Sequence, residues 1–414
     1  MKIGIVRERR PYENRVAASP DTIKKFVAMG LDVVVEGGAG LTAAITNASY
    51  TAAGATVVKT AAEALGNADF VLKVQKPVGP GALVPGEADE VAMMKDGATL
   101  ICLMEPYRDR ALFDTIAARG ITCFAMELVP RISRAQSMDV LSSQSNLAGY
   151  KAVIEAGAVF GRAFPMMMTA AGTVPPAKCL IMGAGVAGLQ AIATARRLGA
   201  VVAATDVRPA SKEQVESLGA TFVAVEDEEF KQAETAGGYA KEMSQAYKDK
   251  QADLIATTIA KQDIVICTAL IPGRPAPILV CEAMVKTMKP GSVIVDLAVE
   301  HGGNCPLSKI GKVVVKHDVT IIGYANMASR VAIDSSALYA KNLLNFAAPL
   351  IDGDTAELSI DLEDEIVKGS RVTGGGVVVH PAVQAIAIDV AKPKRAASPK
   401  KPSRITAAAE EAAG

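Results

Sequence analysis

At 414 residues the chain is long enough for about two domains and a tail. Half of it is hydrophobic, yet aromatics make up only 4% and tryptophan is absent, so its cores are filled by Ala, Val, Ile and Leu, as in parallel sheets covered by helices. Lysine plus arginine and aspartate plus glutamate both number 44, a formal net charge of zero that favours neither nucleic acid nor an anionic membrane surface.

No uninterrupted apolar run reaches the length of a membrane helix, and the opening Met1-Lys2-Ile3-Gly4-Ile5-Val6 reads as a strand and not a signal peptide. A polar loop follows to Pro20, then a helix over 21–29 with Ser19 or Asp21 near its cap and Gly30 at its end. Strands are expected at 32–36, 55–59, 70–74, 99–104 and 122–126, with helices between them. This alternation implies a mostly parallel α/β sheet. The six cysteines, at 102, 123, 179, 267, 281 and 305, sit mostly in apolar runs with no CxxC pair. They read as reduced core residues of a cytosolic protein, and the dispersed His301, His317 and His380 imply no metal site.

Residues 126–149 are a polar connection that passes into a helix at about 147–160. The Met166-Met167-Met168 run is expected to fill core, and Pro175-Pro176 to punctuate a turn. Then comes Lys178-Cys179-Leu180-Ile181-Met182-Gly183-Ala184-Gly185-Val186-Ala187-Gly188, an apolar strand running into three glycines. A helical pattern continues to Leu198, and a second strand over 200–205 ends at Asp206, 23 positions after Gly183. Strand, glycine turn, helix, strand and acid in that order form a dinucleotide-binding fingerprint. Gly183 allows the tight turn, Gly185 lets the backbone approach a pyrophosphate, and Gly188 lets helix and strand pack closely. The helix start offers free N–H donors to phosphate. A carboxylate at 206 hydrogen-bonds an adenine-ribose diol and repels a 2′-phosphate, which selects NAD(H) over NADP(H).

Further strands are expected at 222–225, 264–268, 292–296 and 319–323. The charged insertion 226–250 holds Gly237-Gly238-Tyr239, the pattern of a hinged flap. The amphipathic helix 335–350 has no obvious place in the nucleotide domain and is expected to return to the first domain. The resulting fold class is α/β, with two Rossmann-like doubly wound domains of mostly parallel sheet: a discontinuous first domain, 1–143 plus 331–390, and a nucleotide domain, 144–330. The basic, proline-rich 391–414 is expected to be a disordered tail.

From residue 2 to about 381 the chain resembles the NAD(H)-binding first domain of proton-translocating nicotinamide nucleotide transhydrogenase and, more distantly, alanine dehydrogenase. The residues that carry the resemblance are Pro130-Arg131-Ile132-Ser133-Arg134-Ala135-Gln136-Ser137-Met138-Asp139, the run Leu141-Ser142-Ser143-Gln144-Ser145-Asn146-Leu147-Ala148-Gly149-Tyr150, and Ala233-Glu234-Thr235-Ala236-Gly237-Gly238-Tyr239. The resemblance implies a homodimer that binds NAD(H). It also implies partner subunits, one holding NADP(H) and one forming a membrane proton channel, so that the chain is cytoplasmic and peripheral to the inner membrane. It assigns an Arg-Gln-Asp loop to Arg131, Gln136 and Asp139, with Leu141 and Ser142 beside it. Arg131 offers a planar fork of donors. Asp139 would hold it and the nicotinamide amide in place, and neutral Gln136 would bridge to the second nucleotide. The same resemblance puts Val186, Asp206, Val207 and Arg208 at the adenosine, Leu270 at the nicotinamide, and Gly238 and Tyr239 in a closing flap.

Without that context, Arg131 and Asp139 read more readily as a surface ion pair in a domain linker. An alanine dehydrogenase would use a lysine, an arginine and a histidine around its keto acid. Lys73 and Arg15 match in context, but the strand Leu100-Ile101-Cys102-Leu103-Met104-Glu105 has no histidine, so both are expected to serve structural ion pairs. A non-catalytic NAD(H) sensor is the remaining alternative.

Overall fold

The computed structural model describes residues 1–79, 89–231 and 243–386. Gly238 and Tyr239 of the expected flap, and the 391–414 tail, lie outside the described residues.

Two large sheets organise the chain. In the first, of eight strands, the order is Val377–Val378, Arg371–Gly374, Thr122–Ala125, Thr99–Leu103, Phe70–Gln75, Lys2–Ile5, Asp32–Glu36, Thr56–Val58. The six strands from the N-terminal stretch of the chain pair in parallel; Arg371–Gly374 pairs antiparallel with Thr122–Ala125 and with Val377–Val378. In the second, of seven strands, the order is Thr221–Phe222, Val201–Thr205, Lys178–Met182, Ile264–Cys267, Val293–Asp296, Val319–Gly323, Lys312–Lys316. Only Lys312–Lys316 runs antiparallel there. These are two Rossmann-like α/β units, and the first is discontinuous.

Each sheet is buried on both faces, because alternate side chains of a strand point opposite ways. Phe70, Leu72 and Val74 join one core with Ile23 and Phe26 of the helix Pro20–Ala28, while Val71 faces a second core with Leu65 and Phe113. In the other sheet Ile264 and Ile266 meet Ala191, Ile192 and Ala195 of the helix Val186–Arg197, while Val265 and Cys267 face Ile255 and Ile259. The helix Ala332–Ala347 places Tyr339, Leu343 and Phe346 in the first sheet's core.

Four expectations change. The helix expected from about 147 begins seven residues earlier, as Val140–Val159, because the Asp139 carboxylate caps it by accepting the Ser142 N–H at 2.9 Å. A domain boundary at 143/144 therefore falls inside one continuous helix. The methionine run is not core: Met167–Thr169 pairs with Gly172–Val174 as a separate two-stranded hairpin, leaving Met166 60% and Met168 79% exposed. A two-residue alternation cannot bury three consecutive side chains on one face. Lastly, Cys281 is exposed, whereas the other five cysteines are buried.

Candidate functional site

The strand Lys178–Met182 lies between Val201–Thr205 and Ile264–Cys267, where the strand order reverses direction. The carboxyl end of such a strand opens into the crevice where α/β folds bind ligands. Gly183 takes a φ of +105° there, and Thr268 braces the turn from the next strand by donating its hydroxyl to the Gly183 carbonyl at 2.9 Å. A Cβ on Gly188 would lie 1.8 Å from that carbonyl oxygen, whereas one on Gly185 would meet nothing within 4 Å. Gly188 is thus required by packing, and Gly185 faces open space at the start of the helix Val186–Arg197. That combination of uncapped helix N–H groups and empty room beside them suits a pyrophosphate. Val186, at the helix start, and Val207 and Leu270, just beyond the ends of the two flanking strands, are exposed apolar side chains.

Asp206 ends the second strand with its carboxylate fully engaged. It accepts the Ala184 N–H at 2.7 Å, the Arg208 N–H at 2.9 Å, and the Arg208 guanidinium at 2.9 Å through Nε and 3.0 Å through Nη2. Burial pushes its pKa up, but the Arg208 fork and the two backbone donors outweigh it and hold the carboxyl below its ordinary value. For a ribose diol to reach this carboxylate, one of these donors would have to give way. The displaceable one is the Arg208 side chain, which would then stand beside the 2′ position. Asp206→Asn is therefore expected to remove a repulsive charge and release a cation together, lowering the preference for NADH over NADPH by about tenfold or more, as for loss of a charged hydrogen bond. Fluorescence titration of both nucleotides measures it, and an unchanged ratio removes Asp206 as the selector.

The connector 131–139 is exposed at Arg131 and Gln136. Among the described residues Arg131 makes no ion pair or side-chain hydrogen bond, so the expected Arg131–Asp139 pair is absent. The Asp139 carboxylate instead binds the Ser142 hydroxyl and backbone N–H, spent on starting the helix. The loop is held from behind. Asn342 and Asn345 donate to the Ser137 carbonyl at 2.8 and 3.1 Å, and Arg134 forks onto Asp364 at 2.6 and 3.1 Å. Leu141 is exposed beside it. The helix Val140–Val159 then ties loop and glycine turn together. A Cβ on its Gly149 would fall 2.0 Å from the Ala187 carbonyl oxygen, so backbone touches backbone at the first turn of Val186–Arg197. The ten steps from residue 139 to 149 span about 15 Å of helix.

Several contributors carry no sequence signal of their own. Asn304, fully buried, accepts from the Ala269 N–H at 3.1 Å and donates to the Ala269 and Pro277 carbonyls at 2.9 and 2.8 Å, fixing the loop that bears Leu270. Thr268 is likewise invisible until the neighbouring strand is known.

In the first unit Lys73 is buried between Glu90 at 3.1 Å and Glu8 at 3.3 Å, and Arg15 forks onto Glu13. Burial raises the Glu13 pKa, but Arg15 and Gln75 overcome it and bring it down to about 2. Both cations are consumed in structural pairs, as the missing histidine suggested.

Comparison with known proteins agrees with these two units. The family described as "Alanine dehydrogenase/PNT, N-terminal domain" matches residues 4–148, and "Alanine dehydrogenase/PNT, C-terminal domain" matches residues 152–381. The chain is 61% identical over 383 residues to the first piece of the divided NAD(P) transhydrogenase subunit alpha of Rhodospirillum rubrum, covering 92% of this chain and 99% of that one. Alanine dehydrogenase of Mycobacterium tuberculosis is 30% identical over 365 residues, covering 85% and 88%. The crystal structure of transhydrogenase from Sinorhizobium meliloti superposes with a TM-score of 0.81 at 53% identity, covering 92% of this chain and 100% of that chain. An L-alanine dehydrogenase structure gives 0.75 at 27%, covering 93% and 99%. With a glycine turn at the switch point, an acid at the second strand's end and matches along nearly its whole described length, the chain belongs to the alanine dehydrogenase/PNT family, among the NAD(P) transhydrogenase alpha subunits.

Proposed function

We propose that this chain is the NAD(H)-binding subunit of a proton-translocating transhydrogenase. NADH bound here supplies hydride to NADP⁺ held on a partner subunit, coupled to proton movement through a membrane subunit. The observation that carries the reading is the connector. Its backbone is anchored from behind, while Arg131 and Gln136 face outward with their donors and acceptors uncommitted among the described residues, about one helix of 15 Å from the phosphate turn. In this reading Gly183, Gly185, Val186 and Gly188 hold the pyrophosphate. Asp206, Val207 and Arg208 hold the adenosine, and Leu270 shields the reactive ring. Arg131, Gln136, Asp139, Leu141 and Ser142 orient that ring toward the second nucleotide. No protein base is needed; the side chains orient and exclude water. Gly238 and Tyr239 would close the site.

The division of the chain into 1–143 with 331–390, and 144–330, belongs to the same proposal, its boundary carried by one helix. The hairpin that exposes Met166 and Met168 is the apolar surface that supports a homodimer. In this reading the chain attaches through its partners on the cytoplasmic side of the inner membrane; no helix among the described residues is long and apolar enough to cross a membrane. The alanine dehydrogenase reading loses support because Lys73 and Arg15 are already neutralised within the fold.

The test mixes the purified chain with an NADP-binding partner domain and follows NADH-dependent reduction of an NADP⁺ analogue. Transfer is expected only with the partner present, and alanine plus NAD⁺ is expected to give no turnover. Absence of transfer with a competent partner, or sustained alanine oxidation, overturns the reading.

A further inference from the structure

The Asn342 amide that grips the connector is the last member of a buried polar chain. It starts at Glu13, whose carboxylate accepts from Asn326 Nδ2 at 2.8 Å, Gln75 Nε2 at 3.0 Å, and Arg15 Nε and Nη2 at 2.8 and 2.6 Å. The remaining Arg15 branch, Nη1, donates to Gln144 Oε1 at 2.8 Å. Gln144 Nε2 donates to Ser143 Oγ and to the Ser335 carbonyl, both at 3.2 Å. Ser143 Oγ donates to Asn342 Oδ1 at 2.7 Å, much closer than the Val140 carbonyl at 3.3 Å, and Asn342 Nδ2 donates to the Ser137 carbonyl at 2.8 Å. Glu13, Arg15, Gln144 and Asn342 are all buried.

The chemistry of the members fixes the direction of the links. A guanidinium only donates, so Gln144 must turn its oxygen to Arg15 and its amide toward Ser143. Ser143, accepting a hydrogen bond from that amide, donates its own hydroxyl hydrogen bond to Asn342. Asn342, receiving at its oxygen, has its amide left to give, and the carbonyl before it is that of Ser137, adjacent to Gln136. The charge on Arg15 thus dictates which way an amide points at the far end. A buried chain of this kind resists a flip at any one link, because the flip leaves two donors or two acceptors facing. Asn326 joins the start of the chain to the second unit: its side chain also donates to the Tyr12 carbonyl, and its backbone N–H donates to the Glu300 carboxylate.

We propose that Arg15, Gln144, Ser143 and Asn342 form a directional hydrogen-bond relay that positions the 131–139 connector for hydride transfer, with Asn342 and Arg15 as positioning residues. The proposal rests on the transhydrogenase reading above. Arg15, held by Glu13, is the fixed pole of the relay. Asn345, reaching the same Ser137 carbonyl at 3.1 Å from a less buried position, is its weaker second anchor.

The test uses the full chain in Ser143→Ala and Asn342→Ala forms. Ser143→Ala removes the central link with almost no change of volume, so it remains folded if Asn342→Ala does not. Hydride transfer with the partner domain is expected to fall about tenfold in Asn342→Ala and about threefold in Ser143→Ala, the scale of a sub-ångström misplacement. The NADH Kd should stay within about twofold, because the phosphate turn is untouched. Amide exchange over residues 131–143 should quicken in both variants and stay unchanged over Val186–Arg197. Transfer at the wild-type rate in Ser143→Ala and Asn342→Ala overturns the relay, as does a rise in Kd that accounts for the whole loss. If the wild-type chain itself transfers nothing, the functional reading fails, and exchange, which needs no partner, still decides whether the relay holds the loop.

Discussion

Gly188→Ala is expected to unfold the glycine turn and abolish NADH binding, while Gly185→Ala keeps the wild-type melting temperature and loses binding alone. The two glycines lie three residues apart but meet opposite surroundings. An added methyl at 188 would sit 1.8 Å from the Gly183 carbonyl oxygen and 2.8 Å from its carbon, both backbone. That carbonyl has little room to retreat, because Thr268 hydrogen-bonds its oxygen and the Gly183 N–H is tied to the Thr205 carbonyl at 2.9 Å. Overpacking against movable side chains costs about 1–3 kcal/mol, so a clash with pinned backbone belongs at or above about 3 kcal/mol. At 185 the added methyl meets nothing within 4 Å and the backbone, at φ −76°, suits any residue. What the methyl does fill is the space through which phosphate would reach the helix N–H groups. Losing one or two hydrogen bonds to a charged group, at about 1.5–3 kcal/mol each, weakens NADH binding by at least tenfold. Thermal melts and nucleotide titrations on both variants separate the roles; equal melts, or Gly185→Ala binding as wild type, contradict the assignment.

Glu127→Gln is expected to stabilise the protein above neutrality and leave it unchanged in mild acid. Its carboxyl sits at the end of the strand Thr122–Ala125, accepting the Met104 and Glu105 N–H groups at 2.8 and 2.6 Å through Oε1, while Oε2 is buried with no hydrogen-bond partner among the described residues. Burial is the main cause lifting its pKa from 4.5 to about 7; the backbone donors pull it back, and the Glu105 carboxylate adds to the rise. An acid whose folded pKa lies above its unfolded one binds more protons when folded, so stability falls as pH rises from about 4.5 to about 7 and the loss is complete above that. A rise of this size is worth on the order of 3 kcal/mol. The neutral amide keeps the oxygen that holds Met104 and Glu105 and never ionises. Denaturant melts at pH 8 should show the variant more stable by that order, with the difference vanishing below pH 5. A gap that is constant with pH shows that Glu127 does not titrate in this range. The segment it holds, with Glu105 at φ +50°, leads to Tyr107, which lies against Gly273 of the second unit.

Patterning carried the architecture because it rests on local, repetitive physics. Strands buried on both faces appear as apolar runs, so Phe70–Gln75, Ile264–Cys267 and Val293–Asp296 were legible within a residue or two. The fingerprint was legible because its glycines and acid are set by sequence distance. The helix start at Val140 was not: its first turns are polar, and they are helical because Asp139 caps them and because Ser143 and Gln144 find partners at Asn342 and Ser335, some 190 to 200 residues away. The antiparallel strand Lys312–Lys316 was not legible either, because an edge strand with exposed valines lacks the signal of a buried one.

The sequence by itself determined two α/β units, a glycine turn, an acid at the second strand's end and a connector of unusual composition. All are properties of residues near one another in the chain. Only the folded structure decided which partner each charge takes, even where that partner is close in the chain: Asp206 is saturated by Arg208, Asp139 caps a helix instead of holding Arg131, and Arg15 and Lys73 are neutralised by glutamates. A buried charged or polar group takes the partner that folding brings to it, and that partner can be two residues away, as with Asp206 and Arg208, or 205 residues away, as with Asn342 and Ser137.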